Sequence, residues 1–366
     1  MSDKNRLPEL TAQFDIYYYQ FLDEEGVLQS DLPNHLDDSA LQIKFYRAMV
    51  LTRSLDKKCI ALQRTGKLGT YPSTLGQEAV GVGIAYAMEQ TDVLAPYYRD
   101  TAAQLIRGTR IRDILLCWGG DERGNNSGQS IEDLPCNVPI ATQVTHGAGI
   151  ASAMKIRHQK RAVVSTLGDG ATSRGDFSES INLAGAWQLP LVVVINNNQW
   201  AISVPRSVQT AAQTLAQKGI SGEVRCEQVD GCDVLAVYDA VKRALKYAYD
   251  GKGPTLIEAI TYRLSDHTTA DDATRYREPD ELKKGWEKEP IKRYRNFLHN
   301  NNLWDENKEK ELYSQCEKQI DEAVDEYLNT EAQPPESMFD YLHEEIPESL
   351  LEQRRHLIQK TSGGDL

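Results

Sequence analysis

An acidic and an amide side chain, Asp169 and Asn198, each follow a short apolar run rich in β-branched residues. The Asp169 carboxylate offers a hard anionic oxygen, and the Asn198 amide offers a neutral one. The backbone carbonyl of Trp200, slightly further along the chain, can add a third oxygen. A few protein oxygens that leave coordination positions open suit Mg²⁺, whose shell a diphosphate and water then complete. These residue types therefore indicate a magnesium and diphosphate site.

The segments around these two residues predict a strand–helix–strand unit. The runs AVVST (162–166) and LVVVI (191–195) are typical of buried strands, and the apolar residues between them recur at helical spacing. Such a unit builds a parallel sheet, which binds ligands at the carboxyl ends of its strands. Both polar residues follow those ends. Gly168 and Gly170 flank the carboxylate and would let the backbone approach phosphates closely.

Other phosphate-binding motifs are absent from this sequence. It contains no GxxxxGKS/T loop, and no GxGxxG follows a predicted strand and opens a helix. The glycine-rich stretches GVGIA, near Gly81, and HGAGIA, near Gly147, fall in apolar helices of small residues, where they predict close helix packing. The sequence therefore does not indicate a P-loop or a dinucleotide-binding fold.

Composition narrows the class of protein. The 366 residues suffice for one large α/β domain or two smaller ones, and the 40% hydrophobic content is that of a globular protein. A net charge of −13 argues against nucleic-acid binding through a basic field. Six cysteines without CxxC spacing predict reduced thiols in a cytoplasmic protein and no zinc site. Without a signal peptide or a long apolar run, neither secretion nor membrane spanning is indicated.

The chain divides into three predicted segments. Residues 1–36 predict an N-terminal arm, 37–281 the main domain and 282–366 a helical C-terminal extension. Within the main domain, an amphipathic helix is predicted from Leu41 to Gln63, and Cys226–Gly231 is typical of an edge strand. The main domain thus contains both polar residues of the predicted site.

Three more polar residues fall near predicted strand ends. Tyr98 and Arg99 lie at the polar tip of VLAPYYRD (93–100). They could be ordinary surface residues, but an arginine at such an end is also a natural phosphate clamp. His267 follows the strand predicted in 254–264, so it should reach the same ligand-binding edge.

Two further polar residues have plainer explanations. His146 lies within an apolar helix and is interpreted as a packing or interface histidine. Glu78 opens a helix, where a helix-dipole contact and a role in the site remain equally open.

With these residues in view, a family resemblance covers the chain from about Phe14 to Gln359. The chain resembles the alpha subunit of the thiamine-diphosphate-dependent decarboxylating component of 2-oxo acid dehydrogenase complexes, most closely its bacterial pyruvate-oxidising members. The GDG…NN spacing matches the signature of thiamine diphosphate enzymes. The stretches that carry the resemblance, in order, are LGTYPSTLGQEA, YYRD, IATQVTHGAGIA, GDGATSRGDFSESINLAGAW, NNQWAIS, VDGCDVLAVY, GPTLIEAITYR and HTTADDATRYR.

The resemblance implies a thiamin diphosphate-binding α/β fold. Its central sheet would be mainly parallel and flanked by helices, with an N-terminal arm and a helical C-terminal extension. Asp169, Asn198 and the carbonyl of Trp200 would coordinate Mg²⁺. The cofactor diphosphate would be contacted by Tyr98, Arg99 and His267 and by the turn of Gly168, Gly170 and Ala171. The aminopyrimidine would be contacted by the backbone of Val138 and Ile140. The catalytic centre would include His267, and the entrance for the lipoyl group would lie near Tyr276 and Arg277.

The resemblance also implies an activity and partners. The activity would be oxidative decarboxylation of pyruvate, with reductive acetylation of the lipoyl group on the acyltransferase component. Family members place the glutamate that activates the pyrimidine ring on a separate beta subunit, so a heterotetramer of two alpha and two beta chains is expected. A branched-chain 2-oxo acid or acetoin remains an alternative substrate. A different class of function is a subunit that has lost catalysis and only scaffolds the complex. The intact site residues argue against this alternative.

This sequence departs from some relatives at two positions of the implied site. Some relatives have two histidines where this chain has Asp266-His267. This chain therefore has one imidazole for the diphosphate contact and the catalytic centre. Others have a serine where this chain has Val138, so the sequence does not predict a bound potassium ion at that turn.

Overall fold

A parallel sheet of six strands forms the centre of the computed structural model, which describes residues 10–125, 132–340 and 342–362. A separate antiparallel hairpin of two strands accompanies it within the described residues. The strands are β1 (Tyr18–Tyr19), β2 (Val93–Ala95), β3 (Val163–Gly168), β4 (Leu191–Asn197), β5 (Trp200–Ala201), β6 (Val204–Pro205), β7 (Arg225–Asp230) and β8 (Thr255–Ile260). The order across the sheet is β1-β7-β8-β4-β3-β2, and β5 pairs with β6.

Helices cover both faces of this sheet. Those in the described residues are α1 (Ser39–Arg64), α2 (Glu78–Ala87), α3 (Thr101–Ile106), α4 (Ile111–Trp118), α5 (Thr142–Ile156), α6 (Gly175–Ala186), α7 (Arg206–Gln209), α8 (Val234–Tyr249), α9 (Pro279–Glu287), α10 (Pro290–Asn300), α11 (Glu306–Leu328) and α12 (Glu348–Ser362). The helix predicted from Leu41 to Gln63 is α1, which Asp38 caps by accepting from the amides of Ala40 and Leu41 at 2.9 and 3.3 Å. No helix within the described ranges combines the length and apolar character that crossing a membrane requires.

The apolar runs of the central strands are continuous because both faces of the sheet are buried. Along β4, Val192 and Val194 belong to the cluster that includes α1, α2 and α8, whereas Val193 and Ile195 belong to the cluster with α5 and α6. This alternation follows from the two-residue period of a strand. The predicted α/β fold, with a parallel sheet between helices, is confirmed.

Small residues let α2 pack closely, as the sequence predicted for GVGIA. A Cβ atom added to Gly81 would lie 2.9 Å from the Cβ of Ala102 in α3. One added to Gly83 would lie 2.7 Å from Val237 in α8. Real Cβ contacts are not that short, so these glycines are required by helix packing and not by a nucleotide.

The predicted strand–helix–strand unit is β3–α6–β4. The two strands are parallel neighbours in the sheet, and Gly168 at the end of β3 is paired with Asn196 in β4. Because the chain leaves both strands in the same direction, Asp169 and Asn198 emerge side by side at the carboxyl edge. β8 lies on the other side of β4, and Ile260 at its end is paired with Asn197.

The N-terminal arm adds a strand to the sheet. β1 pairs in parallel with β7, so the predicted edge position of Cys226–Gly231 is wrong and that strand is internal. Asp233, which also caps α8, accepts from the amides of Phe21 and Leu22 at 2.7 Å each. Pairing between segments so distant in sequence leaves no local signal in the strand itself.

Helices α9 to α12 form the region predicted as a C-terminal extension. The predicted boundary at residue 281 falls inside α9, and α11 packs against α1 and α4. Parts of the predicted segments, 1–9, 126–131, 341 and 363–366, lie outside the described residues.

Arg293 of α10 joins the arm to the sheet, and replacing it with methionine is expected to destabilise the fold strongly. The side chain is 1% exposed. Its guanidinium pairs with Asp230 at 2.8 Å and donates to the carbonyls of Leu22 and Asp23. Without it Asp230 is a buried, unpaired charge, so we expect a loss of about 3–5 kcal/mol in the free energy of unfolding. Urea denaturation would measure it.

Arg295→Met on the same helix is the matched control for that measurement. Arg295 is paired only loosely with Glu309, at 3.5 Å, and its side chain is 40% exposed. Its loss should cost no more than about 1 kcal/mol. Equal effects of the two substitutions on the free energy of unfolding would contradict the role of Arg293 in joining the arm to the sheet.

Candidate active site

A cavity lies at the carboxyl edge of the sheet and brings together most of the predicted site residues. Those that line it are Tyr98, Arg99, Ile140, Gly168, Asp169, Gly170, Ala171, Asn198, Trp200 and His267. Val138, Tyr276 and Arg277 are not among the lining residues. The carboxylate of Asp169 and the amide of Asn198, from which the site was predicted, therefore share one cavity.

Asp169 is a buried carboxylate with a free oxygen. It opens a short 3₁₀ turn, Asp169–Ser173, directly after β3, and it is 2% exposed. Its Oδ2 atom has no hydrogen-bond partner among the described residues. Burial raises the pKa of this carboxyl to about 6. A buried acceptor without a donor is costly unless a cation completes it, so this atom fits a divalent metal.

Two neutral oxygens accompany this carboxylate. The Asn198 Nδ2 atom donates to Gln77 Oε1 at 3.2 Å, which turns its Oδ1 atom toward the amide of Trp200 at 3.3 Å. The Trp200 carbonyl accepts a long bond from Arg263 Nη1, at 3.4 Å. Within the described residues no group of three or more His, Cys, Asp or Glu side chains is placed to hold a metal. The candidate cation site thus consists of one carboxylate and neutral oxygens.

The turn after β3 is shaped by glycine. A Cβ atom added to Gly170 would lie 2.8 Å from the Cβ of Ala201 in β5. Gly168 has more room, since its added Cβ would come no closer than 3.9 Å to Tyr97. Glycine is therefore sterically required at the second position of the triplet and leaves open space at the first.

Arg99 provides a fixed positive charge in the cavity. It is 4% exposed, and its Nη1 atom donates to the carbonyl of Ser73 at 2.6 Å. Its Nη2 atom lies 2.6 Å from the carbonyl of His267 and 2.9 Å from the Nδ1 atom of the same residue. The guanidinium also lies 5.2 Å from the ring centre of Tyr98. A buried guanidinium held in this way is suited to an anionic ligand.

His267 is held neutral by its surroundings. Burial, followed by the charges of Arg99 and Arg263, lowers the pKa of its imidazole to about 3. Its Nδ1 atom faces guanidinium donors from both arginines, at 2.9 and 3.3 Å. Since those groups can only donate, Nδ1 must accept and the single ring proton resides on Nε2.

Tyr276 and Arg277 brace the loop that carries His267. The Tyr276 hydroxyl accepts from Arg263 Nη2 at 2.7 Å and donates to Asp271, whose carboxylate also accepts from the His267 amide at 2.8 Å. Arg277 donates to the carbonyls of Arg263 and Ser265, at 2.5 and 3.1 Å. Both side chains therefore engage the loop, outside the cavity lining.

The segment before α5 forms part of the cavity rim. Ile140 lines the cavity and is 44% exposed, whereas Val138 is 56% exposed and lies outside the lining. Gln143 of α5 fixes this segment by donating to the carbonyls of Asn137 and Pro139, at 2.6 and 3.3 Å. His146 is exposed and does not line the cavity.

Residues that the sequence did not single out complete the site. Arg263 is fully buried and donates to the carbonyl of Ile202 at 2.8 Å, which ties the β5–β6 hairpin to the histidine loop. An arginine inside the apolar run PTLIEAITYRL was the available signal. Gln77 contacts Asn198 from behind. Glu78, for which the sequence left a helix-dipole contact and a site role open, forms a buried ion pair with Arg53 and does not line the cavity.

The fold is that of an α/β protein, and the cavity at the carboxyl edge of its parallel sheet is a candidate site for a cation and an anion. The family model described as the dehydrogenase E1 component matches residues 46–336. The chain belongs to the dehydrogenase E1 component family, a family of oxidoreductases.

Curated relatives extend this match to nearly the whole chain. The chain is 41% identical, over 368 aligned positions, to the pyruvate dehydrogenase E1 component subunit alpha of Staphylococcus aureus. That alignment covers 97% of this chain and 99% of the relative, and the protein of the same name from Staphylococcus epidermidis gives the same values. The family and the class of enzyme predicted from the sequence are confirmed.

Proposed function

We propose that this chain is the alpha chain of an E1 component that oxidises pyruvate, with thiamine diphosphate held through Mg²⁺. One observation supports it above the others. The buried Asp169 carboxylate has a free oxygen in the same cavity as Asn198, Trp200 and Arg99. A site that pairs an unsatisfied anion with a fixed guanidinium suits a divalent cation bound to a diphosphate, because each charge of the complex meets its opposite.

The residues divide between the two parts of this ligand. Asp169 Oδ2, Asn198 Oδ1 and the Trp200 carbonyl are the proposed metal ligands. The proposed diphosphate contacts are Tyr98, Arg99, His267 and the turn of Gly168, Gly170 and Ala171, and those to the aminopyrimidine come from the backbone of Val138 and Ile140. When bound, the coenzyme supplies a carbon nucleophile for the 2-oxo carbon and takes up the electrons released with CO₂.

His267 is proposed to act at the reacting end of the cavity. Its neutral ring presents an N–H at Nε2, since both arginines donate to Nδ1. A neutral imidazole can donate a proton to a developing oxyanion and accept one in return. Tyr276 and Arg277, which hold the histidine loop, are proposed to shape the entrance through which the lipoyl group arrives.

A second chain is proposed to complete this site. Exposed apolar side chains lie on the cavity lining, at Ile140 and Ile202, and on the same two segments of the chain, at Val138, Val204 and Val208. An exposed apolar rim around a ligand site is typical of a surface that another protein covers. The names of the relatives, subunit alpha of an E1 component, support a further subunit as partner. A beta chain is the proposed subunit, and a lipoyl-bearing acyltransferase is the proposed recipient of the acetyl group. A heterotetramer is the expected assembly.

The purified chain alone is expected to show little or no decarboxylation of 2-oxo acids. The glutamate that activates the pyrimidine is proposed to lie on the beta chain, so the isolated chain lacks that group. Ferricyanide reduction would measure the activity of the chain alone and of the chain co-expressed with its beta partner. Pyruvate, 3-methyl-2-oxobutanoate and acetoin would be compared side by side.

Two results of that assay would contradict the proposal. High activity of the isolated chain would refute the shared site. A preference of the reconstituted enzyme for the branched-chain acid or for acetoin would refute pyruvate as the substrate and leave the shared site intact.

A further inference from the structure

Gln77 lies directly behind the proposed metal ligands but does not line the cavity. It occupies the cap position of α2, and its side chain is 3% exposed. Its backbone is fixed on both sides, because its amide donates to the carbonyl of Thr74 at 2.9 Å and its carbonyl accepts from the amide of Val80 at 3.1 Å. The side chain makes no capping hydrogen bond to its own helix. It is therefore available to the site.

The Oε1 atom of Gln77 accepts from two residues that line the cavity. Asn198 Nδ2 and the Tyr97 hydroxyl each lie 3.2 Å from it. A carbonyl oxygen has two lone pairs, so one atom satisfies both donors. The two donors come from different segments, the tip after β4 and the tip after β2. Gln77 thus links the two loops that face the proposed ligand.

The Tyr97 hydroxyl sets the direction of this contact. It donates to Gln77 Oε1 at 3.2 Å. Burial raises the pKa of Tyr97 well above its usual value, so that hydroxyl keeps its proton. Gln77 therefore presents its oxygen and not its nitrogen to both donors.

The orientation of Gln77 decides the orientation of Asn198. Because Oε1 can only accept, it binds the amide nitrogen of Asn198. A reversed Asn198 amide would set two oxygens against each other in a buried place, which is unfavourable. The Oδ1 atom of Asn198 is left with one long bond, from the Trp200 amide at 3.3 Å. Its remaining lone pair is free for a cation.

We propose that Gln77 is a positioning residue, which holds the Asn198 side chain with its oxygen available to the divalent metal. This inference rests on the proposed function, since it takes Asn198 as a metal ligand. Partners behind a metal ligand set its orientation, and their loss typically weakens metal affinity by roughly 10–100-fold. The Nε2 atom of Gln77 is buried without a partner among the described residues. Only the acceptor end of the side chain is therefore used.

Gln77→Met and Gln77→Glu separate the acceptor from the volume of the side chain. Methionine has nearly the same shape and cannot accept strongly, so Asn198 loses its orienting partner. Glutamate keeps the acceptor and loses the unpartnered donor. Both would be prepared in the complete enzyme with its beta chain. The measurement is the Mg²⁺ concentration that half-saturates thiamine diphosphate binding, followed by calorimetry and by quenching of tryptophan fluorescence.

The half-saturating Mg²⁺ concentration is expected to rise roughly 10–100-fold in Gln77→Met. In Gln77→Glu it should equal or fall below that of the unaltered enzyme. Gln77→Asn, which keeps the amide but shortens its reach, should follow methionine and serves if the methionine variant does not fold. Thermal melting without Mg²⁺ and coenzyme would verify folding, and at saturating Mg²⁺ the coenzyme affinity should recover.

Two results would overturn the positioning role. One is an unchanged Mg²⁺ requirement in the methionine and asparagine variants. The other is an equal loss in Gln77→Met and Gln77→Glu, because a retained acceptor must restore the function. A third result would contradict the proposed function on which this inference rests. If the unaltered enzyme binds thiamine diphosphate without any requirement for Mg²⁺, the proposed metal site fails, and this inference fails with it.

Discussion

Replacing Asp169 with alanine is expected to abolish Mg²⁺-dependent binding of thiamine diphosphate. The substitution removes the only charged oxygen among the proposed metal ligands. Loss of a group that merely supports a metal ligand costs roughly 10–100-fold in affinity, so loss of the charged ligand should exceed about 100-fold. Calorimetric titration of the complete enzyme with thiamine diphosphate at fixed Mg²⁺ would measure it. Decarboxylation should be lost in parallel.

The pH dependence of metal binding provides a second test of Asp169. Burial raises the pKa of this carboxyl to about 6 in the metal-free protein. Mg²⁺ binds the ionised form, so a proton competes with the metal below that pH. We expect the affinity for Mg²⁺ to be constant above about pH 6 and to fall as the pH drops further. The Asp169→Asn variant should lack this dependence.

Stability measurements separate this effect from misfolding. The folded pKa of Asp169 is raised above the value of an unfolded aspartate, so its stabilising contribution is lost as the pH rises from about 4 to about 6. Above about pH 6 the metal-free Asp169→Asn variant should therefore melt no lower than the unaltered protein. Asp250→Asn, at an exposed carboxylate paired only with Lys252, is the matched control and should bind normally. If Asp169→Ala retained its Mg²⁺-dependent affinity for thiamine diphosphate, Asp169 would not be a metal ligand.

Replacing His267 with alanine is expected to impair acetyl transfer to the lipoyl group far more than coenzyme binding. His267 lines the cavity and carries its single ring proton on Nε2, and a positioned proton donor typically contributes about 10²–10⁴-fold in rate. We expect a loss of that order in reductive acetylation, measured with a free lipoyl domain. The affinity for thiamine diphosphate should change only a few-fold, because Arg99 and the metal remain.

The low pKa of His267 gives this prediction a distinctive pH profile. Burial and two arginines lower that pKa to about 3, so the imidazole is neutral throughout the physiological range. The ratio of the rates of the unaltered enzyme and His267→Ala should therefore stay constant between about pH 6 and 8. His299→Ala, on the exposed side of α10, is the matched control. Unchanged acetylation in His267→Ala would contradict the role.

The sequence by itself determined the central part of the fold. The runs at 162–166 and 191–195 are apolar throughout because both faces of the sheet are buried, and this signal is local. The small residues of GVGIA are a local signal of the same kind. The crossover rule then places the two polar tips after β3 and β4 at one edge. Residue type and spacing along the chain therefore suffice to identify Asp169 and Asn198 as candidate ligands.

Only the tertiary structure decided which residues support the site. Arg263 and Gln77 act through contacts with segments far away in the chain, and no periodicity or motif spacing encodes such contacts. The arm strand β1 made Cys226–Gly231 internal for the same reason. The protonation states of the site also depend on folding. Burial and the nearby arginines keep His267 neutral, and burial raises the pKa of Asp169. Residue types and local order are written along the chain, whereas burial and long-range partners exist only after it has folded.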